Sequence, residues 1–444
     1  MIPRPVRLFH LSDLHVLEGP RLEDQAANLA RILDRAAELR PDLVTLTGDY
    51  YGRQVPHRPT AAEREVFEPA LVRLAELAPV VLLGGNHDHE LSTTLARHLG
   101  GLNPITVETA ARAWTVDTAA GPVDLYALAY PTKRWILSEA DAAKGITESM
   151  AAVNVKLASL LKVWASRIAR RRRSAPTVPQ VLLAHVQIRG CLTSGGEVLA
   201  GQELELGRPD LEALGVDYAA LGHLHRRQAV ASRAWYVGSP WPVDFAEGRD
   251  PHGFHLVELG ETPRPILFPT MAAPPRVTED GETTDYPADG TRLRASVTYH
   301  ATGSRPWITL DYRWAPDNET GIPRWIKRPT AAELEAVPGA ELRARLVVPD
   351  TFATTCPWDA ELETLAGLGA HRVQPERTIE PTERIRVPAV VEAVNLAGKV
   401  EAYWTTLATP LGELETGDAL EALGELETME DPEIGARSRQ LLAG

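Results

Sequence analysis

The stretch that decides the fold is residues 6–15, which read VRLFHLSDLH. Val6–Leu11 has the apolar pattern of a buried strand, and the polar group Asp13-Leu14-His15 comes directly after it. A helical pattern follows from about Leu22 to Arg40, and Leu43–Thr47 reads as a second buried strand. This order of strand, polar loop and helix indicates layered α/β structure, in which functional residues lie at the carboxyl ends of strands.

The alternation of strands and helices continues to about residue 260. Thr60 and Glu63 have the spacing of a capping box and predict the start of a second helix. A long helical pattern extends from about Ser138 to Arg173 and ends in arginines, which suit either a solvated helix terminus or a phosphate-contacting patch. We predict further strands at Val80–Leu83, Leu125–Tyr130, Val181–Val186 and Tyr218–Leu221.

Composition excludes several classes of protein. The chain has 444 residues, enough for roughly three domains, and its 44% hydrophobic and 24% charged residues are ordinary globular values. No apolar run reaches the ~18 residues of a membrane helix, so we expect a cytoplasmic protein with no membrane association. Two cysteines cannot build a disulfide scaffold or a thiolate metal site. The net charge of −14 argues against a surface that binds nucleic acid everywhere, although a local basic face is compatible with it.

Five polar clusters each lie at the carboxyl end of a predicted strand or just after it. They are Asp13-Leu14-His15, Gly48-Asp49, Gly85-Asn86-His87-Asp88, His185, and Gly222-His223-Leu224-His225. A single histidine at a strand end is more often structural than functional, but five such clusters can all converge on one edge of a sheet. Imidazole and oxygen ligands without thiolate suit ions such as Mn²⁺, Fe²⁺ or Zn²⁺. The clusters hold more candidate ligands than one metal ion can bind, and their number suits two ions.

The ordered set D-x-H, G-D, G-N-H-D, H and G-H-x-H resembles the signature of the calcineurin-like metallophosphoesterase superfamily over about the first 245 residues. The resemblance implies an α/β fold, a four-layer β-sandwich flanked by helices. It also implies that Asp13, His15 and His225 hold one metal ion, that Asn86, His185 and His223 hold a second, and that Asp49 bridges both. His87 would face the scissile phosphate as a catalytic residue, and Asp88 would orient His87, although an N-cap role for Asp88 stays open.

Within that superfamily the chain is most similar to the SbcD-type DNA repair exonucleases. The similarity rests on LFHLSDLH at residues 8–15, HVQIRG at residues 185–190, and GHLHR followed by YVGSP at residues 222–226 and 236–240. It implies a metal-dependent DNA nuclease, in which Mn²⁺ is the preferred ion and Fe²⁺, Mg²⁺ or Zn²⁺ are alternatives. It further implies DNA as substrate, an SbcC-like ABC ATPase as partner, and a homodimer.

The resemblance, together with a segment rich in Pro, Gly, Thr and acidic residues after about Leu259, suggests how the chain is divided. We predict a nuclease domain at residues 1–260, a linker at 261–290, a small α+β capping domain at 291–385, and a helical segment at 386–444 that binds the ATPase. Arg53 and Arg226 are the predicted substrate-binding residues. Arg53 lies in a stretch, Tyr50-Tyr51-Gly52-Arg53, that departs from the family's usual Phe-Asp, so the preference for exonuclease or endonuclease cleavage stays open. The alternative function is a small-molecule or cyclic-nucleotide phosphodiesterase or phosphatase of the same superfamily.

Overall fold

The structure is a computed structural model, in which strands and helices are numbered in chain order. It describes residues 4–52, 58–89, 96–131, 146–196, 205–260, 277–278, 281–289, 292–317 and 319–381. Arg53, the predicted segment 386–444 and most of the predicted linker therefore lie outside the described residues. Of the helices in the described ranges, none combines the length and apolarity needed to cross a membrane.

The first sheet has eight strands and contains the amino-terminal strand near its middle. Its strands are β1 (Val6–Leu11), β2 (Leu43–Leu46), β3 (Val80–Leu83), β4 (Ile105–Glu108), β13 (Gly253–Leu259), β14 (Val277–Thr278), β15 (Gly281–Tyr286) and β16 (Ala295–Ala301). They are arranged in the order β14-β15-β16-β13-β1-β2-β3-β4. Strands β1 to β4 run parallel, so their carboxyl ends share one edge, whereas β13 runs antiparallel to β1.

The second sheet has six strands and repeats this arrangement. Its strands are β5 (Ala111–Thr118), β6 (Gly121–Leu128), β7 (Gln180–His185), β10 (Tyr218–Gly222), β11 (Gln228–Ala231) and β12 (Ala234–Tyr236), in the order β11-β12-β10-β7-β6-β5. Strands β6, β7 and β10 are parallel neighbours, and Gly222 at the end of β10 is paired with His185 at the end of β7. A separate two-stranded sheet joins β8 (Gln187–Ile188) to β9 (Glu205–Leu206).

Three apolar cores separate four layers. Leu8 of β1, Val181 of β7 and Val257 of β13 belong to the core between the two sheets. Helices α1 (Leu22–Leu39) and α2 (Ala61–Leu77) cover the outer face of the first sheet, and α3 (Ile146–Ser174) and α4 (Arg208–Leu214) cover that of the second. The helices can do so because central strands such as β2 and β3 are buried on both faces, as strands of buried parallel sheets are. The predicted α/β sandwich flanked by helices is therefore confirmed.

The predicted element bounds agree closely with the observed ones where sequence signals are local. Strands β1 and β3 have the predicted limits. Helix α2 begins at the predicted capping box, in which Thr60 accepts a hydrogen bond from the Glu63 amide and the Glu63 carboxylate accepts one from the Thr60 amide.

The structure differs from the expected linker and domain boundary in one place. Gly281–Tyr286, expected to be irregular, is strand β15, and it pairs with β16. Strand β16, expected in the capping domain, pairs along its whole length with β13 of the first sheet. Composition suggested a linker because Thr, Asp and Glu are common there, but a sheet edge can hold such residues where one face meets solvent.

The residues after Trp307 form a third sheet. Its strands are β17 (Trp307–Pro316), β18 (Pro323–Lys327), β19 (Glu341–Pro349) and β20 (Arg372–Glu380), in the order β18-β17-β19-β20, with short helices α5 (Ala331–Glu335) and α6 (Trp358–Gly367). The described residues divide into two compact units. One contains the described residues up to Asp311 with Pro329–Arg345 and Asp359–Glu376, and the other contains Tyr312–Arg328, Leu346–Trp358 and residues 377–381.

The arginine-rich end of α3 forms ion pairs with buried carboxylates and does not only face solvent. Arg171 Nε donates to Asp124 at 2.7 Å, and Arg172 donates to Asp217 at 2.6 Å. The Asp217 carboxylate is fully buried and also accepts hydrogen bonds from the amides of Gln180 and Leu293. These two arginines therefore anchor α3 to the second sheet.

We expect Asp217→Ala to lower the free energy of unfolding by about 3–5 kcal/mol, because it leaves the Arg172 guanidinium, whose side chain is only 12% exposed, and two buried amides without their acceptor. Urea denaturation of the full chain measures this change. Asp34→Ala is the matched control, since the Asp34–Arg73 pair is mostly exposed and its loss should cost no more than about 1 kcal/mol. Equal stability of the two variants would contradict the role of Asp217.

Candidate metal centre

Two loops at the carboxyl ends of β1 and β2 are hydrogen-bonded to each other along their main chains. The amides of Asp13, His15 and Val16 donate to the carbonyl oxygens of Gly48, Asp49 and Tyr50 at 3.0–3.1 Å. Asp13, His15 and Asp49 each have a φ near +50°, in the left-handed region that side chains other than glycine rarely occupy. Such backbone strain is concentrated at functional sites, where the surrounding structure holds it in place.

Glycines allow the loops of the two sheets to approach each other. An added Cβ at Gly48 would lie 2.2 Å from Nδ1 of His185, and one at Gly222 would lie 2.2 Å from the Thr47 carbonyl oxygen. A Cβ at Gly85 would lie 2.1 Å from Oδ1 of Asp49. Because no side chain fits at these points, the ends of β1, β2 and β3 can meet those of β7 and β10.

The first group of candidate ligands is Asp13, His15 and His225, whose ligand atoms all lie within 4.8 Å of one another. Nε2 of His15 is 2.9 Å from Nε2 of His225. The Asp13 carboxylate, which is fully buried, accepts hydrogen bonds from the His223 amide at 3.1 and 3.2 Å. Burial raises the pKa of Asp13 and lowers that of His15.

The second group is Asp49, His185 and His223, whose ligand atoms also lie within 4.8 Å of one another, and Asn86 belongs with them. Oδ1 of Asn86 is 3.0 Å from Nε2 of His185 and 2.9 Å from Nδ1 of His223. Oδ2 of Asp49 is 3.2 Å from Nε2 of His185 and 3.8 Å from Nε2 of His15, so Asp49 lies between the two groups. The structure thus brings together all seven side chains that the sequence singled out as ligands.

The donor set fits a cation. His185 presents Nδ1 to the Thr47 carbonyl oxygen at 2.6 Å, so this nitrogen carries the proton and Nε2 presents a lone pair to the oxygens of Asn86 and Asp49. Lone pairs of three groups that face one another repel unless a positive charge lies among them. Burial alone would lower the pKa of His185, yet the Asp49 carboxylate raises it to about 9, so in the absence of an ion a proton on Nε2 supplies the positive charge that a cation would otherwise bring.

His87 lies at the more exposed side of this centre. Its amide donates to Oδ1 of Asp49 at 2.9 Å, and its Nε2 is 4.0 Å from Oδ2 of Asp49. Its ring centroid is 5.0 Å from that of His15, and its side chain is 22% exposed. An incoming substrate can therefore reach the His87 ring and the ligand groups together.

Asp88 binds main-chain amides. Its Oδ2 accepts hydrogen bonds from the amides of Asp49 at 2.8 Å and Gly85 at 2.9 Å, and its Oδ1 accepts one from Tyr50 at 3.1 Å. Burial and the neighbouring Asp49 carboxylate raise the pKa of Asp88 to about 8. These bonds fix the loop that carries His87 against the loop that carries Asp49. The alternative N-cap role concerns residues from 90 onward, which begin outside the described ranges.

Sequence reasoning missed Glu247, which is buried behind the first ligand group. Oε1 of Glu247 lies 2.6 Å from Nδ1 of His225, and its Oε2 accepts hydrogen bonds from Ser239 and from the Val243 amide. Burial lowers the pKa of His225, but the hydrogen bond to Glu247 outweighs that effect and raises the pKa to about 9. A carboxylate behind a ligand histidine fixes the orientation of the ring. No motif pointed to Glu247, since it lies 22 residues after His225 in a segment with no periodic pattern.

Of the two predicted substrate-binding arginines, Arg226 is described. It directly follows His225, its side chain is 36% exposed, and its Nε is 3.8 Å from Asp250. The neighbouring Arg227 points into the protein, where it is only 11% exposed and pairs with Glu282.

The chain is similar to proteins that are already known. The chain is 28% identical over 294 residues to the SbcD component of the nuclease SbcCD from Rhodobacter capsulatus, a match that covers 60% of this chain and 69% of that protein. A solved structure described as GAP50, the anchor in the inner membrane complex of Plasmodium, matches 76% of this chain and 96% of its own with 12% identity and a TM-score of 0.40. Similarity at that score establishes neither a shared fold nor a shared function.

The family model for calcineurin-like phosphoesterases matches residues 6–227, which is half of the chain and includes each of the five polar clusters. Calcineurin-like phosphoesterases use divalent metal ions, and the two ligand groups described above are suited to hold them. The chain therefore belongs to the calcineurin-like phosphoesterase family and is a hydrolase that acts on phosphoester bonds.

Proposed function

We propose that this protein is a DNA nuclease that hydrolyses phosphodiester bonds with two divalent metal ions, in the manner of SbcD-type nucleases. The observation that carries the proposal is the position of Asp49, whose carboxylate lies between two groups of ligand atoms. Asp13, His15 and His225 would hold one ion, Asn86, His185 and His223 would hold the other, and Asp49 would contact both. Mn²⁺ suits this mixture of imidazole and oxygen ligands, as do Fe²⁺ and Zn²⁺.

The residues around the centre would have different roles in hydrolysis. Two bound ions supply a nucleophile from water at neutral pH and neutralise charge on the phosphoryl oxygens. Glu247 and the Thr47 carbonyl oxygen hold the rings of His225 and His185 in the orientation that points Nε2 into the centre. His87, on the exposed side, would donate a proton to the leaving oxygen. Arg226 would attract the phosphate backbone next to the scissile bond.

The choice of DNA over a small substrate rests on two observations. One is the similarity over 294 residues to the SbcD component of the nuclease SbcCD. The other is the chain beyond the first two sheets, which includes the four-stranded sheet from Trp307 to Glu380 and offers further surface for a large substrate. By the same similarity we propose an SbcC-like ATPase as partner and a homodimeric nuclease.

We expect His87→Ala to slow the cleavage of linear duplex DNA by about 10²–10⁴-fold, the usual contribution of a positioned general acid, while bound metal is retained. Cleavage of labelled DNA in Mn²⁺ and elemental analysis of the purified variant measure the two quantities. His98→Ala, at an exposed histidine, is the matched control and should cleave at the wild-type rate.

An active His87→Ala variant would contradict the role of this histidine. Wild-type protein that hydrolyses only phosphate monoesters or cyclic nucleotides would contradict the nuclease proposal and support the alternative phosphodiesterase.

We expect Glu247→Gln to weaken Mn²⁺ binding by about 10–100-fold, because the neutral amide no longer fixes or polarises the His225 ring. Isothermal titration calorimetry of the metal-free full chain measures the affinity. Glu341→Gln provides a control, since Glu341 is an equally buried carboxylate that binds Arg372 and Gln374 instead of a ligand. Unchanged affinity in Glu247→Gln would exclude the proposed support of His225.

A further inference from the structure

A chain of polar side chains runs through the otherwise apolar core between the two sheets. His10 of β1 and His255 of β13 are paired across the antiparallel register, and Tyr218 of β10 reaches between them from the opposite sheet. All three side chains are fully buried. Three polar groups in such a core are costly unless each hydrogen-bonding atom has a partner, so their arrangement needs an explanation.

The distances describe one continuous path. The Tyr218 hydroxyl is 3.0 Å from Nδ1 of His10 and 3.2 Å from Nδ1 of His255. Nε2 of His255 accepts a hydrogen bond from Nε of Arg227 at 3.2 Å. At the other end, Nε2 of His10 is 3.1 Å from the Thr47 hydroxyl, which in turn donates to the Leu11 carbonyl oxygen at 3.4 Å.

Arg227 sets the direction of every bond in this path. A guanidinium can only donate, so Nε2 of His255 must be the acceptor. Burial lowers the pKa of His255 well below its usual value and that of His10 to about 3, so both rings are neutral and each carries one proton. His255 therefore keeps its proton on Nδ1 and donates to the Tyr218 oxygen. Tyr218 then donates to Nδ1 of His10.

The path ends at Thr47. His10, having accepted at Nδ1, carries its proton on Nε2 and donates to the Thr47 hydroxyl. The carbonyl oxygen of the same residue accepts a hydrogen bond from Nδ1 of His185 at 2.6 Å. The side chain of Thr47 is therefore hydrogen-bonded to His10 in the core, and its main-chain carbonyl orients the candidate metal ligand His185.

The arginine end of the path is firmly placed. Arg227 pairs with Glu282 at 3.1 Å, and its guanidinium lies over the rings of Tyr299 and Trp235 at 4.4 and 5.1 Å. Contacts of a cation with aromatic faces stabilise the charge where little water reaches it.

We propose that Tyr218 is a positioning residue for His185, acting through a one-directional hydrogen-bond chain from Arg227 through His255, Tyr218 and His10 to Thr47. The effect on metal binding rests on the ligand role proposed above for His185, whereas the protonation sites of His10 and His255 do not depend on it. Linked hydrogen bonds in a medium of low dielectric polarise one another. Loss of the central hydroxyl should therefore weaken the hydrogen bonds at both ends of the path.

The first test is Tyr218→Phe, which removes the central hydroxyl and keeps the ring. We expect calorimetric titration of the metal-free chain with Mn²⁺ to show that one of two ions binds about tenfold more weakly than in wild type, the lower end of the range for residues that support a ligand. Tyr126→Phe is the matched control, because Tyr126 is a buried tyrosine of the same sheet. Its hydroxyl binds Gln180, which is not part of the hydrogen-bond path through Tyr218. This variant should titrate like wild type.

The second test needs no variant. Two-bond ¹H–¹⁵N correlation spectra of wild-type protein labelled at histidine, read after backbone assignment, should show His255 protonated at Nδ1 and His10 at Nε2. The opposite tautomer at either ring would overturn the proposal, and so would wild-type Mn²⁺ affinity in Tyr218→Phe. Wild-type protein that shows these tautomers but binds no pair of Mn²⁺ ions would contradict the proposed function and the positioning role, and would leave the hydrogen-bond chain standing.

Discussion

The convergence of lone pairs at the carboxyl ends of five strands is the constraint on which the structure depends. Imidazole nitrogens and carboxylate or amide oxygens from β1, β2, β3, β7 and β10 lie within a few ångströms of one another, with little water to screen them. Each loop that carries them is held in place by main-chain hydrogen bonds, by Asp88, or by a glycine that permits close approach. Without a positive charge at its centre, this arrangement would cost free energy.

The two sheets supply different ligand residues to that centre. The first supplies the loops at Asp13 and Asp49, and the second supplies His185 and His223, of which His223 also has a positive φ. The apolar core between the sheets sets how closely the two halves approach, and the polar chain through Tyr218 crosses it at one place. Packing of the core and alignment of the candidate ligands are therefore coupled.

Much of this arrangement could be predicted from sequence because the signals are local. A strand followed at once by Asp13 and His15, or by Gly48 and Asp49, identifies both an element and the edge where it ends. Glu247 and Thr47 could not be found in this way, since each acts on a ring that is remote in sequence, and nothing next to them marks the contact. The resemblance implied that Asp88 orients His87, but the hydrogen bonds of Asp88 could not be foreseen, because its partners are main-chain amides, which every sequence contains.

The edge of the first sheet could not be inferred for a different reason. Strand pairing between β13, β16 and β15 is decided by register across residues that are far apart, and the acidic, threonine-rich composition of Gly281–Tyr286 is equally typical of a loop. The composition of a segment shows only that it is compatible with a loop or an edge strand. Whether it forms a strand depends on the strand available beside it.

Anomalous diffraction at the manganese edge, from crystals of the full chain grown with Mn²⁺, tests the central claim most directly. The account predicts two peaks about 3.5–4 Å apart, the usual spacing of a two-metal site, with the Asp49 carboxylate between them. A single peak, or peaks away from these side chains, would contradict it.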